Sequence, residues 1–176
     1  MIWTTQLSIK TIRLSEEEMI TAYTTGIKRQ FAHRDPITGK RFSTHRFTAY
    51  DSDFDGDIKG CIVECAVAKY FDVPWNNETW NLKDHEDNRG QADVGDHYEV
   101  RRSRSIKGEL TIRNTDAEHK VAVLGHVDEQ SECFVDLIGA ISIKEARERY
   151  EADGKGNIYV PSSALYPVED FVLDNA

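Results

Sequence analysis

A single glutamate in an apolar run is the first place where this sequence could do chemistry. Cys61 to Ala68 spans eight residues, and Glu64 is its one polar member. A carboxylate in such a setting is costly unless a cation or a metal compensates it. A narrow exposed stripe, or an ion pair with a nearby Lys or Arg, would account for it equally well. The second place is Asp93-Val94-Gly95-Asp96-His97-Tyr98-Glu99-Val100-Arg101. Gly95 permits a tight hairpin turn, which puts Asp93 on one arm and Glu99 on the other. Glu99 and Arg101 are two apart on a strand and share a face, while Tyr98 and Val100 point towards a core. Two acids and a base then meet at one end of a hairpin. Carboxylates so placed suit magnesium, which takes one or two of them and keeps several waters. The bland alternative is a polar hairpin with cross-strand charge pairs.

The elements that position these residues can be read from period and punctuation. Leu7 to Leu14 reads as a short strand or an extended arm. Ser15 with Glu18 three residues on is a capping box. It opens a helix with Met19, Tyr23, Ile27 and Phe31 at helical spacing. Asp35-Pro36-Ile37-Thr38-Gly39 reads as a turn. Ile58 to Phe71 is a helix apolar nearly all round, hence buried, and Val73-Pro74 stops it. A polar loop carrying Trp75 and Trp80 runs to Gly90. The period then shortens to two: Tyr98 to Ser103, Leu110 to Arg113, Val121 to Leu124 and Phe134 to Ile138 read as a meander of about four strands. Ile143 to Tyr150 returns to helix, and Ile158 to Val160 is a last strand ended by Pro161. This order predicts one compact α+β domain, with a helical extension over 1–56 and the core over 57–176.

The 176 residues suffice for a real core. They carry 22 Lys and Arg against 31 Asp and Glu, a formal net charge of −9. That balance disfavours a simple nucleic-acid binder. Two local stretches run the other way: Lys28 to Arg46, and Arg101 to Arg113 with Arg102, Arg104, Lys107 and Arg113. Such stretches can grip phosphates. No segment is apolar enough to cross a membrane, and Met1 to Lys10 shows no secretion signal. Three cysteines (Cys61, Cys65 and Cys133) without paired spacing favour a reducing, cytoplasmic setting.

Taken together, the motifs resemble the PD-(D/E)XK nuclease superfamily, and more narrowly small phage-type proteins with that core. The residues that carry the resemblance are Gly60-Cys61-Ile62-Val63-Glu64 running on to Ala68-Lys69-Tyr70, then Ala92-Asp93-Val94-Gly95 and Glu99-Val100-Arg101. It continues through Leu110 to Arg113, Val121 to Gly125, Gly139-Ala140-Ile141 and Tyr159 to Leu165, about two thirds of the chain. The resemblance implies a restriction-endonuclease-like core: a central mixed sheet of about four to five strands flanked by helices. It implies Asp93 and Glu99 as ligands of Mg2+ or Mn2+, with the Val100 carbonyl as a third. Glu64 completes the site. Asp96 is the rival to Asp93. The superfamily's lysine falls at Arg101, which would meet the scissile phosphate as a cation but cannot readily act as a base; Lys107 or Lys69 could substitute. Arg102, Arg104, Lys107 and Arg113 would track the backbone of DNA, with RNA the open alternative.

Asp51-Ser52-Asp53-Phe54-Asp55-Gly56-Asp57-Ile58 matches the first half of a calcium loop, but Ile62 stands where the closing bidentate Glu belongs. The stronger expectation is that Asp57 caps the buried helix. Trp75 and Trp80 could stack on bases, but loop anchoring is the more ordinary role. No Gly-rich phosphate loop, nucleophile elbow or i, i+4 histidine pair is present. The expected function is a metal-dependent nuclease acting on DNA in the cytoplasm, the host's if phage-encoded. The alternatives are a catalytically inactive nuclease-fold protein that binds nucleic acid or a phage or host protein, and an acidic inhibitor. A branched substrate would call for a homodimer.

Overall fold

A computed structural model describes residues 8–32, 37–38, 53–77 and 91–173, and of residues 53–55 the backbone alone. Its elements are β1 (Lys10–Arg13), α1 (Glu16–Ala32), α2 (Asp53–Phe71), β2 (Tyr98–Ser103), β3 (Glu109–Ile112), β4 (Val121–Val127), β5 (Phe134–Ser142), α3 (Ile143–Arg149) and β6 (Ile158–Pro161). Two single turns of 3-10 helix follow, Ser162–Ala164 and Val168–Phe171. The fold is α+β. Trp80, the acidic loop around it and most of the basic stretch Lys28 to Arg46 lie outside the described residues.

The central sheet has four strands in the order β1-β5-β4-β2. β1 and β4 run antiparallel to β5, whereas β2 runs parallel to β4. The sheet is therefore mixed, as expected, but it is not a simple meander. A parallel pair needs a crossover, and here the crossover carries β3 out of the central sheet. β3 pairs antiparallel with β6 in a separate two-stranded sheet. Leu110 and Ile112, both fully buried, drive this: they pack with Ile158 and Val160 against Ala122, Leu124, Ile138 and Ile141 on one face of the central sheet. Helix α3 closes that face through Ala146. The pairing of β4 with β5 shifts register between Leu124 and Gly125, leaving Ile138 as the extra residue. A bulge flips side-chain phase, which is why Val135 and Leu137 face one layer while Ile138 and Ile141 face the other.

The other face is covered by α2. Ile62, Val63, Ala66 and Val67 are fully buried against Val123, Val135, Leu137 and Ala140. Each buried Ile, Val or Leu among them contributes about 1.5–3 kcal/mol. The buried helix is thus borne out, but it starts at Asp53. Asp57 lies inside it rather than capping it. Asp53, Asp55 and Asp57 accordingly sit on a helix and not around a calcium loop; Asp51 and Ser52 are outside the described residues. At its other end Asp72 takes a left-handed φ of 52° and the Val73 N–H returns to the Ala68 carbonyl, so Val73-Pro74 ends the helix.

Helix α1 lies on α2. Its capping box forms: the Ser15 N–H donates to the Glu18 carboxylate at 2.6 Å, and the Glu18 N–H to the Ser15 hydroxyl at 3.2 Å. The buried stripe, however, is Ala22, Thr25, Gly26 and Gln30. Ile27 and Phe31, expected inside, are exposed at 37% and 67%. Small residues win this face because the helices approach closely: a Cβ on Gly26 would sit 2.7 Å from the Ile58 Cα. The obstacle is backbone, so Gly26→Ala should destabilise the protein by about 1–3 kcal/mol. Urea unfolding measures this, and an unchanged midpoint would refute the close packing that aims the next turn of α1 at the site.

Candidate active site

The expected hairpin forms. Val94 and Tyr98 exchange both backbone hydrogen bonds, at 3.1 and 3.2 Å, around Gly95 at φ 54°. Tyr98 anchors the hairpin to the end of α2: its ring stacks on Phe71 at 4.1 Å, and its hydroxyl donates to the Phe171 carbonyl at 2.8 Å. Val100 points to the same core. Glu99 and Arg101 project from the opposite side of β2, as their spacing predicted.

Arg101 is the hub. Its Nη1 lies 3.1 Å from Asp93 Oδ2, 3.4 Å from Glu99 Oε2 and 3.0 Å from the Val100 carbonyl oxygen. Its Nη2 is bidentate with Asp116, at 2.8 and 2.7 Å. Its Nε donates to the Thr111 carbonyl on β3 at 3.2 Å. The five N–H groups of a guanidinium are thereby all engaged, and the side chain is 11% exposed. Asp93 Oδ2 also accepts the Val100 N–H at 2.8 Å, which locks the carboxylate across the hairpin. Asp93, and not the exposed Asp96, is the acid that shares Arg101 with Glu99.

The remaining oxygens have partners from further away. Lys120, 2% exposed and immediately before β4, donates to Glu99 Oε1 at 2.7 Å. Arg29 on α1 reaches both oxygens of Glu64 at 2.8 and 2.9 Å, and the Trp75 indole N–H donates to the same carboxylate at 2.9 Å. Trp75 is thus an anchor, as its more ordinary reading had it. Four carboxylates (Glu64, Asp93, Glu99 and Asp116) face three cations (Arg29, Arg101 and Lys120).

Burial pushes the Glu64 carboxyl above its ordinary 4.5; Arg29 opposes the shift, and the charge of Asp93 adds to it. Glu99 is raised for the same first reason, with Asp93 again adding. Arg113 is held below its usual range by the like charge of Arg101. A raised carboxyl means that the folded chain binds that proton more tightly than the unfolded chain. The stability it contributes is present below pH 4.5 and is lost as pH rises through the folded value. The melting temperature of wild type minus that of Glu64→Gln should therefore fall as pH climbs from about 4.5. A gap that stays constant from pH 4 to 8 would contradict the assignment.

Sequence reasoning missed Arg29, Asp116 and Lys120. The one available signal was a lysine abutting the apolar run Val121 to Leu124. The lysines expected as substitutes do other things: Lys69 bonds the Arg13 carbonyl and Glu18 at 2.9 and 2.8 Å, and Lys107 lies exposed on the β2–β3 connection with Arg104. Arg102 is half-buried and Arg113 exposed.

Among the described residues, no three acidic, histidine or cysteine side chains stand together as a ready metal cage. Glu64 is held by Arg29 and Trp75. Two carboxylate oxygens and a backbone carbonyl do converge on one cationic atom, Arg101 Nη1, and these are the oxygen donors that a hard divalent ion takes. A cavity of about 430 Å³ is lined by Trp75, Asn76, Gln91, Asp96, His119 and Lys120 among others, and Lys120, which bonds Glu99, links it to the site.

No protein-family model, curated protein or solved structure matches this chain. Among the described residues, no helix is long and apolar enough to cross a membrane.

Proposed function

We propose that this protein is a metal-dependent nuclease of the PD-(D/E)XK kind that hydrolyses phosphodiester bonds in DNA. One observation carries the reading: Asp93 Oδ2, Glu99 Oε2 and the Val100 carbonyl converge on a single cation position, 3.0 to 3.4 Å from Arg101 Nη1. Magnesium or manganese held by these oxygens would supply charge neutralisation and an activated water. The chain's own residues do the rest. The Val100 N–H fixes Asp93, and Lys120 fixes Glu99, so neither carboxylate has to reorganise to present its oxygens. Exposed Arg104, Lys107 and Arg113, with half-buried Arg102, offer positive charge to phosphates. The cavity at Lys120 and His119 is the approach for the reacting phosphate. RNA has the same backbone and is the other nucleic acid to try. The free cysteines Cys61, Cys65 and Cys133 accord with a cytoplasmic site of action, in a host cell if the source is a phage.

A second reading has its own observation. Arg101 fills the cation position, and each acid is already paired, which favours a nuclease-fold protein that binds nucleic acid or a protein partner without cutting. A panel of single-stranded, duplex and branched DNA, with magnesium, manganese or EDTA, separates the two. Metal-dependent cutting supports the nuclease. Salt-dependent binding without cutting selects the binding protein. A folded chain that neither binds nor cuts at any salt overturns both and points to an acidic interaction protein.

A further inference from the structure

We infer that Arg101 is the resident cation of this site and competes with a divalent metal for the same point. The inference rests on reading Asp93, Glu99 and the Val100 carbonyl as a cation site. It goes beyond that reading in assigning the site an internal occupant. Three features carry it. Nη1 lies within 3.0 to 3.4 Å of all three oxygens, so an ion bound by them and the guanidinium cannot coexist. Arg101 does not point at the cavity or at solvent: it is 11% exposed, and its other nitrogens are spent on Asp116 and Thr111. Arginine also holds its charge at any working pH, so protonation cannot release it.

Asp116 is the positioning residue of this arrangement. Its carboxylate is 7% exposed and grips Nη2 with both oxygens, while Oδ2 also accepts the Arg113 N–H at 2.8 Å. Both carboxylate oxygens on the one nitrogen fix the position of Nη2 as well as pairing its charge. Asp116 therefore holds the guanidinium over the acids from the side away from them. A metal enters when Arg101 swings out, and the cost of that swing, most of it the Asp116 pair, is subtracted from metal affinity. Wild type should consequently bind metal weakly. Loosening Arg101 should tighten binding, the reverse of what removing a phosphate-contacting cation from a metal site would do.

The test is Mn2+ binding to the full chain by calorimetry, with melting curves, for wild type, Arg101→Met, Asp116→Asn and the double variant Arg101→Met with Glu99→Gln. Arg101→Met should bind Mn2+ at least about tenfold more tightly than wild type. At Mn2+ a hundredfold above its dissociation constant, its melting temperature should rise by about 5 °C. The double variant should lose both gains. Should Arg101→Met fail to fold even with Mn2+, Asp116→Asn decides. Its Mn2+ affinity should rise several-fold over wild type, whereas simple loss of a nearby carboxylate lowers the affinity of a cation site. Equal or weaker Mn2+ binding in whichever variant decides overturns the inference, whatever wild type does to DNA. Tighter binding alongside a wild type that never cleaves DNA upholds the inference and sinks the nuclease reading.

Discussion

Lys120→Met should cost about 3–5 kcal/mol of stability. Lys120 is 2% exposed and sits 2.7 Å from Glu99, whose own side chain is 8% exposed. Taking two charges out of water is expensive, and their mutual attraction recovers that cost only while both are present. Methionine keeps most of the lysine's bulk and removes its charge. Glu99 is then left buried with Arg101 at 3.4 Å as its remaining cation, while Asp93 draws on the same nitrogen. The double variant Lys120→Met with Glu99→Gln should recover most of the loss, because the uncompensated charge is gone. Chemical denaturation of the two singles and the double measures the coupling. A Lys120→Met variant within about 0.5 kcal/mol of wild type would mean that the pair is not formed.

The second large effect is on chemistry. Glu99→Gln should reduce metal-dependent cleavage by at least about a thousandfold, a loss of roughly 4 kcal/mol in the barrier. Glutamine is isosteric, and its one amide oxygen still accepts from Lys120 while its NH2 group faces Arg101. What disappears is the negative charge that makes the point attractive to a divalent ion. Asp93→Asn should behave alike, because Asp93 Oδ2 faces the same point and is fixed by the Val100 N–H. Glu64→Gln should cost far less, because both Glu64 oxygens are bonded by Arg29 and one of them by Trp75, and neither is a partner of Arg101 Nη1. This ranking distinguishes the geometry described here from a site in which all three acids share one ion equally. Single-turnover rates at saturating manganese give the comparison, and equal losses at Glu64 and Glu99 would contradict it.

Much of the site was legible because much of it is local. Asp93, Glu99 and Arg101 lie within nine residues of chain. Gly95 announces the turn that joins them, and strand alternation puts Glu99 and Arg101 on one face. Glu64 announced itself by interrupting an apolar helix. Their partners were not legible, because each arrives from a distance. Arg29 meets Glu64 across 35 residues, Lys120 meets Glu99 across 21, and Asp116 meets Arg101 across 15. Nothing in the local pattern of Asn114-Thr115-Asp116 separates a buried hydrogen-bonding acid from a turn residue. The fold divides the same way. The helices and most strands follow from period and capping. The parallel pairing of β2 with β4, and the departure of β3 to join β6, depend on which apolar faces meet. Lys10–Arg13 is too short for its alternation to mark it as a strand of the central sheet, yet it pairs with β5 along its length. The buried face of α1 was misjudged for a related reason: close helix approach selects Ala22 and Gly26 over the larger Ile27 and Phe31.

The most direct measurement is cleavage of an end-labelled DNA strand, single-stranded and duplex, by wild type and Glu99→Ala side by side, with magnesium or manganese and with EDTA. The account predicts cutting by wild type that requires the metal and vanishes in the variant. Cutting that survives in Glu99→Ala would place the chemistry elsewhere, and a well-folded wild type that cuts neither substrate would contradict the nuclease assignment.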